Sequence, residues 1–406
     1  MRKCPLNFLV LLMIPFMFLA CSNMLDWYAS NEFLNLWLQN TGLITVTRSS
    51  APFPVQEDIA CNGNEFAIFS DATNVFANTS NEIYFTRVDF EGDQVGSTVQ
   101  ISETNTSASS RPRAVWNGSS YAVAWIDARL GAPQLYFTRV SSDGIKIGAD
   151  IQVTSCSAGS SLANHRIAWS GSSFGIVWQD SRDGNQEIYF ALLDSAGVKQ
   201  GSDMRVTEDT AVSNFPVIQW DGNGFGIFYS DTRPGVSNIY FSRMKSDGSK
   251  DTSTGDVAVT DKSVNTMVSD CAWNGSEYRL AWYQEYSLGL YSVHTSLAKT
   301  TGHLTGKTIQ FDNASSSATS PSIDWNGFGY ALAWRGVRGS NISICFNKFT
   351  DEGGISPREY VFPPDSIDDS FPRVCADDNV FCTVWNVSTN AYRIGTLANS
   401  TTDPDA

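Results

Sequence analysis

The amino-acid sequence predicts an all-β protein built from seven copies of one short unit. Each copy contains an apolar stretch that ends in Trp-Asn-Gly or a related tripeptide, followed by an aromatic residue and, in six copies, by a second Trp or a Tyr. A period of about fifty residues that runs through most of a chain is typical of repeat proteins whose units pack side by side. The first residues of the tripeptides, 51 to 55 positions apart, are Cys61, Trp116, Trp169, Trp220, Trp273, Trp325 and Ala376.

The second repeat shows how one unit folds. Residues Arg113–Trp116 form a short predicted strand, and after a Gly-containing turn the alternating residues of Tyr121–Asp127 form a second. A third strand is predicted over Leu135–Val140 and a fourth over Ile151–Thr154. Four antiparallel strands in about fifty residues make the blade of a β-propeller. The sequence therefore predicts a seven-bladed β-propeller of four-stranded antiparallel blades over residues 42–398.

The two ends of the chain predict how the ring of blades closes. The seventh repeat supplies three strands, near Phe371–Ala376, Phe381–Trp385 and Ala391–Leu397, and the chain then continues as a polar tail over residues 399–406. Residues Leu43–Thr47, which precede the first repeat, have the pattern of a fourth strand. We expect this N-terminal strand to complete the last blade, because a closed ring leaves no exposed sheet edge.

The recurring aromatic residues are interpreted as core rather than as a ligand cage. Neighbouring blades of a propeller enclose a wedge that large rings fill, and every blade needs such packing. The rings are expected to lie against small residues at Ala122, Gly175, Gly226 and Ala331.

The N-terminal residues predict export. Arg2 and Lys3 precede an apolar run from Leu6 to Ala20, and residues 1–20 are typical of a signal peptide. The run ends in Phe-Leu-Ala-Cys-Ser, which resembles the lipobox of bacterial lipoprotein precursors. That resemblance implies a palmitate-type lipid on Cys21 and anchoring in a bacterial cell envelope, at the outer membrane on its periplasmic or surface side. An ordinary signal peptide and a secreted protein remain the alternative, and residues 21–41 are expected to form a tether with a short helix.

Charge and composition narrow the classes of partner. The formal net charge is −15, and removal of the leader would leave about −17, so binding to nucleic acid or to an anionic membrane surface is not expected. Membrane contact is expected only through the N-terminal lipid. The cysteines form no CxxC pair and the three histidines fall in different repeats, so neither a metal nor a cofactor is predicted. The protein is expected to be a monomer.

A polar motif lies at the C-terminal end of the second strand in three repeats. It reads Asp-x-Arg and is followed by a Gly and then by Ile or Leu, Tyr and Phe, and this succession resembles the TolB-like or WD-type propeller repeat. The resemblance implies an exported scaffold that binds envelope proteins. Two interpretations of the motif stay open, a local ion pair that orders its loop and a binding surface on the rim of the propeller. The motif residues are Asp127 and Arg129, Asp180 and Arg182, and Asp231 and Arg233.

Repeats five and six break this pattern, and a repeat protein gains a unique patch where its pattern breaks. The candidate binding residues there are Glu285, Tyr286, Arg335 and Arg338. The sequence thus favours a binding module for an envelope or extracellular protein, with a glycan as a second kind of partner. The alternative is a propeller glycoside hydrolase or lyase that acts on extracellular polysaccharide, which a pair of carboxylates in the central channel would favour. No catalytic residue is assigned.

The last repeat predicts a disulfide. Its turn is built on Asp377–Val380, so Ala376 faces Phe381 and Cys375 faces Cys382. Directly opposed residues of an antiparallel hairpin lie near enough for a bridge. Two buried free thiols are the alternative.

Overall fold

The chain folds as a ring of seven four-stranded antiparallel sheets. The computed structural model describes residues 43–48, 53–73, 81–103, 108–156, 159–311, 317–338, 341–350, 360–362, 370–377, 380–387 and 391–398, and every regular element in them is a strand. The predicted all-β class is therefore confirmed. The leader, Cys21, the tether and the polar tail lie outside the described residues. In the part of the chain that is described, no helix is long and apolar enough to cross a membrane.

The strands follow one another blade by blade. Blades one to three contain β2 (Phe53–Cys61), β3 (Phe66–Thr73), β4 (Asn81–Val88), β5 (Gln94–Gln100); β6 (Ser109–Trp116), β7 (Tyr121–Asp127), β8 (Gln134–Val140), β9 (Lys146–Gln152); and β10 (Leu162–Trp169), β11 (Ser173–Asp180), β12 (Glu187–Asp194), β13 (Lys199–Arg205). Blades four and five contain β14 (Ser213–Trp220), β15 (Gly224–Asp231), β16 (Asn238–Lys245), β17 (Val257–Ala258); and β18 (Thr266–Trp273), β19 (Tyr278–Ser287), β20 (Leu290–Ala298), β21 (Ile309–Gln310). Blades six and seven contain β22 (Ser317–Trp325), β23 (Tyr330–Arg338), β24 (Asn341–Phe349), β25 (Tyr360–Phe362); and β26 (Ser370–Ala376), β27 (Val380–Val387), β28 (Ala391–Ala398), β1 (Leu43–Arg48).

The first strand of each blade lines the centre of the ring. These inner strands contact one another in sequence, from β2 to β6 and so on to β26, and β26 returns to β2. The ring is closed by β1, which pairs with β28 from Leu43 opposite Leu397 to Arg48 opposite Tyr392. The seven-bladed fold and its closure by the N-terminal strand are as predicted.

Two strand boundaries of the second repeat differ from the prediction. The inner strand β6 starts at Ser109 rather than at Arg113, because a bulge lets the strand continue through Pro112. The outer strand β9 covers Lys146–Gln152 rather than Ile151–Thr154. Thr154 leaves the ladder because its side-chain oxygen, and not its backbone, accepts the N–H of Leu135 at 2.9 Å.

Aromatic rings fill the wedges between blades, as the sequence predicts. In blades two to six the first Trp of the hairpin faces its aromatic partner, for example Trp169 opposite Phe174 with ring centroids 4.4 Å apart. The second Trp, such as Trp178, is fully buried. A Cβ atom on Gly175 would lie only 2.8 Å from the ring of Phe225 in the next blade. The small residue is therefore needed for the blades to approach each other.

The two cysteines of the last hairpin are opposed as predicted. Cys375 on β26 pairs with Cys382 on β27, and both are buried. A third thiol, Cys61 of blade one, packs against the same cluster and donates a hydrogen bond to Asp377 Oδ2 at 3.3 Å. All six cysteines in the described residues are free thiols in the structure, so the bridge itself stays a prediction.

Candidate functional site

Every inner strand carries one extra residue at the same height, which makes a β-bulge. In five blades the bulged residue is not glycine yet has a positive φ of 50° to 57°. This conformation is strained for a residue with a Cβ, by about 1–3 kcal/mol. Bulges of this kind turn a side chain out of its sheet, here toward the channel. The residues are Arg111, Asn164, Phe215, Ser320 and Phe371.

The bulges are held by the preceding blade. The backbone N–H of Arg111 donates to Asp71 Oδ2 at 3.1 Å, and that of Phe215 donates to Gln179 Oε1 at 3.1 Å. Because these acceptors sit on the second strand of the neighbouring blade, these two bulges are fixed from outside their own sheets. Bulges fixed in this way preorganise the side chains that they carry.

The bulges surround a cavity of about 240 Å³ at one mouth of the central channel. Residues from all seven blades line it, so it lies on the axis of the ring. We call it the channel pocket, and its polar and aromatic lining residues are Gln56, Glu57, Arg111, Arg113, Asn164, His165, Arg166, Phe215, Ser269, Tyr283, Ser320, Phe371, Arg373 and Asn386.

Three arginines form the floor of the channel pocket. Arg113, Arg166 and Arg373 occupy the same position of the inner strand in blades two, three and seven, and they line both the pocket and the deeper channel. Arg113 Nη1 donates to the carbonyl of Pro112 at 2.7 Å and Arg166 Nη1 to that of His165 at 3.2 Å. Among the described residues, no carboxylate lies within 4.0 Å of Arg113 or Arg166 to form an ion pair.

The arginines weaken one another's charged forms. Burial and the charges of Arg373 and Arg166 hold the pKa of Arg113 well below its usual range. Burial and the charge of Arg373 lower the pKa of Arg166 to about 10. Arg166 is therefore still cationic at neutral pH, and guanidinium groups in proteins generally keep their proton. Mutual repulsion of this kind is relieved when an anion binds among the groups.

Glu57 stands beside the arginines without a hydrogen bond. Both of its side-chain oxygens are buried and have no partner among the described residues. Burial and the charge of Asp71 raise its pKa well above the usual range, against the opposing charges of Arg373 and Arg113. His165 also adds no positive charge, because burial and Arg113 lower its pKa to about 3. The arginines supply the positive charge at the floor of the pocket, and the nearby charges of Asp58 and Asp270 offset part of it.

The deeper carboxylates of the channel connect blades. Asp58 Oδ2 accepts the backbone N–H of Ala114 at 2.9 Å, in the next blade. Asp270 and Asp324 accept backbone N–H groups of blades six and seven in the same way, at 3.2 and 2.8 Å. These three groups are engaged in holding the ring together. In the described part of the channel, Glu57 is the carboxyl group without a hydrogen-bonding partner.

The Asp-x-Arg motifs form internal clamps on the rim. In blade three, Arg182 Nε and Nη2 bind Asp180 Oδ2 at 2.9 and 2.6 Å, and Nη1 binds Asp203 on the outer strand at 2.7 Å. The guanidinium lies 4.6 Å from the ring centroid of Tyr189. The arginine thus ties the second, third and outer strands together. Asp180 is fully buried.

The same clamp recurs in blades two and four. Arg129 binds Asp127 and Asp150, at 2.6 and 3.0 Å. Arg233 binds Asp231 at 2.8 Å. Burial favours the protonated form of Asp127, yet the hydrogen bonds from Arg129 hold its pKa below the usual range. The geometry matches the local-ion-pair interpretation, and it does not bring the three motifs into one site.

Blade five replaces the clamp with an extended hairpin. Strands β19 and β20 meet at Leu288-Gly289, and Glu285 accepts hydrogen bonds from Asn265 Nδ2 at 2.8 Å and Gly289 N at 3.1 Å. Tyr286 follows on the same strand. In blade six, Arg335 and Arg338 lie on β23. The structure thus places the four unmatched candidates on the hairpins of two adjacent blades, away from the floor of the channel pocket.

Sequence reasoning missed the channel arginines. The signal was present, since Arg113, Arg166 and Arg373 each lie three residues before the repeating anchor position. Their convergence follows only when the ring is closed, because they belong to blades two, three and seven.

Comparison with known proteins supports the fold alone. No protein-family model and no curated protein matches the chain. The propeller domain of the Trilobed protease from Pyrococcus furiosus, described as having an open velcro topology, is 8% identical with a TM-score of 0.51, over 86% of this chain and 96% of that one. A structure from an analysis of two prolyl endopeptidases is 12% identical with a TM-score of 0.53, over 94% of this chain. The match covers about half, 53%, of the length of that endopeptidase chain.

Proposed function

We propose that this propeller is a binding module that takes an anionic ligand in the channel pocket. The observation that carries the proposal is the pair Arg113 and Arg166, a buried and a half-buried guanidinium group without an ion-pair partner among the described residues. A buried charge without a partner is costly, so a site that keeps several of them is suited to an incoming counter-charge. The site is basic although the whole chain carries a net charge of −15.

Binding is favoured over hydrolysis by the state of the carboxylates. Glycoside hydrolysis uses two carboxyl groups that flank the scissile bond. Asp58, Asp270 and Asp324 are engaged by backbone N–H groups, which leaves Glu57 as the candidate proton donor in the described channel. A lyase or hydrolase that uses Glu57 is the second candidate function, and turnover of an acidic polysaccharide by the wild type but not by Glu57→Gln would establish it.

Sulfate is a suitable probe for the anion site. The melting temperature is measured while sodium sulfate replaces sodium chloride at constant ionic strength. We expect a saturable rise for the wild type and its loss in Arg166→Gln. The matched control is Arg139→Gln on β8, outside the channel pocket, which reports the general stabilisation by sulfate. Equal curves for wild type and both variants would refute the proposal.

We propose further that the blade-five hairpin contacts a protein partner in the envelope. Leu288 at its tip is 96% exposed and Leu290 is 42% exposed, which is unusual for large apolar side chains next to each other. Pull-down from envelope extract with Leu288→Asp tests this contact. Ile145→Asp is the matched control, because Ile145 is 67% exposed in the turn between the third and fourth strands, at the other face. A partner retained equally by both variants would overturn the proposal.

Anchoring through Cys21 is proposed from the lipobox-like sequence. Cys21→Ala is expected to abolish labelling by a fatty-acid analogue and to release the protein from membranes. Labelling and membrane retention of the variant would contradict the lipoprotein interpretation, and a soluble, unlabelled wild type would favour the secreted alternative.

A further inference from the structure

We infer that the ligand of the channel pocket is an acidic sugar, a pyranose ring that carries a carboxylate, such as the end of a uronic-acid polysaccharide. This inference rests on the proposed anion site and adds the chemical class of its ligand. Two aromatic side chains in the upper part of the pocket, which an anion alone does not explain, support this inference.

Two phenylalanines flank the mouth of the pocket. Phe215 belongs to blade four and Phe371 to blade seven, three blades apart in a ring of seven, so they stand nearly opposite each other. They are 40% and 54% exposed, and both hold the strained left-handed conformation. A large ring at these two positions is not explained by core packing, because the rings are exposed. It is not explained by the backbone either, because a left-handed conformation disfavours a residue with a large side chain. Exposed aromatic rings held rigidly at a pocket are suited to a ligand with an apolar face.

A pyranose ring has such a face, formed by its C–H groups, together with hydroxyl groups at its edge. The pocket supplies hydroxyl and amide side chains at matching height, from Gln56, Ser269 and Ser320. Polar groups of this kind fix the orientation of a ligand whose bulk is held by aromatic contacts. The arginine floor then receives the carboxylate.

The size of the pocket limits how much of a glycan it holds. Its volume of about 240 Å³ is below the range of about 300–1,000 Å³ that larger ligands fill. One ring therefore enters, and further sugar units extend through the mouth between the phenylalanines. The ligand is thus recognised at its end rather than along its length.

Calorimetric titration with three probes tests the inference. The probes are D-glucuronate, which has ring and carboxylate, D-glucose, which has the ring alone, and sulfate, which has the charge alone. We expect glucuronate to bind about tenfold or more tighter than sulfate, because it adds the ring contacts, and glucose to bind at least about tenfold more weakly than glucuronate. Phe215→Ala and Phe371→Ala should each weaken glucuronate binding about three- to tenfold and weaken sulfate binding much less.

The matched control is Phe328→Ala, since Phe328 is 77% exposed in the turn after β22, on the opposite face of the ring. Phe328→Ala should change neither the affinity for glucuronate nor the affinity for sulfate. If sulfate binds and glucuronate binds no more tightly than sulfate, the sugar inference is wrong, while the proposed anion site is still supported. Binding of glucose as tight as that of glucuronate would also overturn it, as would full glucuronate affinity in both phenylalanine variants. Absence of binding by every probe would overturn the anion site and the inference together.

Discussion

Arg373 Nε lies 3.8 Å from Asp58 Oδ1, across the seam where blade seven meets blade one. Asp58 also binds the backbone of Ala114 in blade two, so one carboxylate connects three consecutive blades. Of the three floor arginines, Arg373 is therefore the one whose charge is partly compensated. Arg113 and Arg166 have no such ion pair, so we expect the proposed anion nearer to blades two and three.

Removal of residues 42–48 should lower the free energy of unfolding by several kcal/mol. The deletion strips β1 from β28, with which it pairs over six residues, and leaves an exposed edge in blade seven. Urea denaturation measures the effect. An unchanged midpoint and slope would mean that β1 does not close the ring.

Arg182→Ala should destabilise the protein by about 2–4 kcal/mol, because the fully buried Asp180 loses its cationic partner and keeps only the neutral donors Trp178 Nε1, Cys156 Sγ and the backbone N–H of residue 182. Arg182→Lys should recover only part of the loss, since an ammonium group cannot reach both Asp180 and Asp203. Arg139→Ala serves as the control for loss of an arginine. Denaturant curves that coincide for Arg182→Ala and wild type would show that the clamp contributes nothing to stability.

Asp324→Asn should gain stability relative to wild type as the pH rises. Burial raises the pKa of Asp324 to about 7, against the hydrogen bonds from the N–H groups of Trp325 and Ala376. Between the unfolded pKa of about 4 and this value, the folded state holds more protons than the unfolded state, so the stability of the wild type falls as pH increases. Asparagine keeps an acceptor oxygen and does not ionise.

The measurement for Asp324 is the difference in melting temperature between variant and wild type from about pH 4 to about pH 8. The difference should grow in favour of the variant up to about pH 7 and then level off. A difference that stays constant across the window would show that Asp324 does not titrate there.

Peptide mapping of the unreduced protein should find a peptide pair linked through Cys375 and Cys382. Their opposed positions on β26 and β27 supply the proximity that a bridge needs, and the proposed envelope location would be an oxidising compartment that permits it. Cys61, which touches the same cluster, is the internal control for pairing by contact alone. Quantitative alkylation of Cys375 and Cys382 without reductant would show that the bridge does not form. A peptide pair linked through Cys61 and Cys375 would show that a different bridge forms.

The sequence predicted the blades well because their signals are local. A hairpin with a Gly turn and a facing aromatic pair, such as Trp116 with Tyr121, is written within a few residues. The bulges were missed because the strand was predicted to start at Arg113, directly after Pro112, whereas the structure places Pro112 inside the strand. The arginine floor was missed because Arg166 and Arg373 are about two hundred residues apart and meet only through the closed ring.

Crystals soaked in sodium selenate, a heavier analogue of sulfate, test the anion site most directly. We predict an anomalous difference peak in the channel pocket, within hydrogen-bonding distance of the guanidinium groups of Arg113 and Arg166. The same soak of Arg166→Gln crystals should lose that peak and keep any peak on the outer surface. Anomalous density confined to the outer surface of the wild type, with none beside these two arginines, would contradict the account.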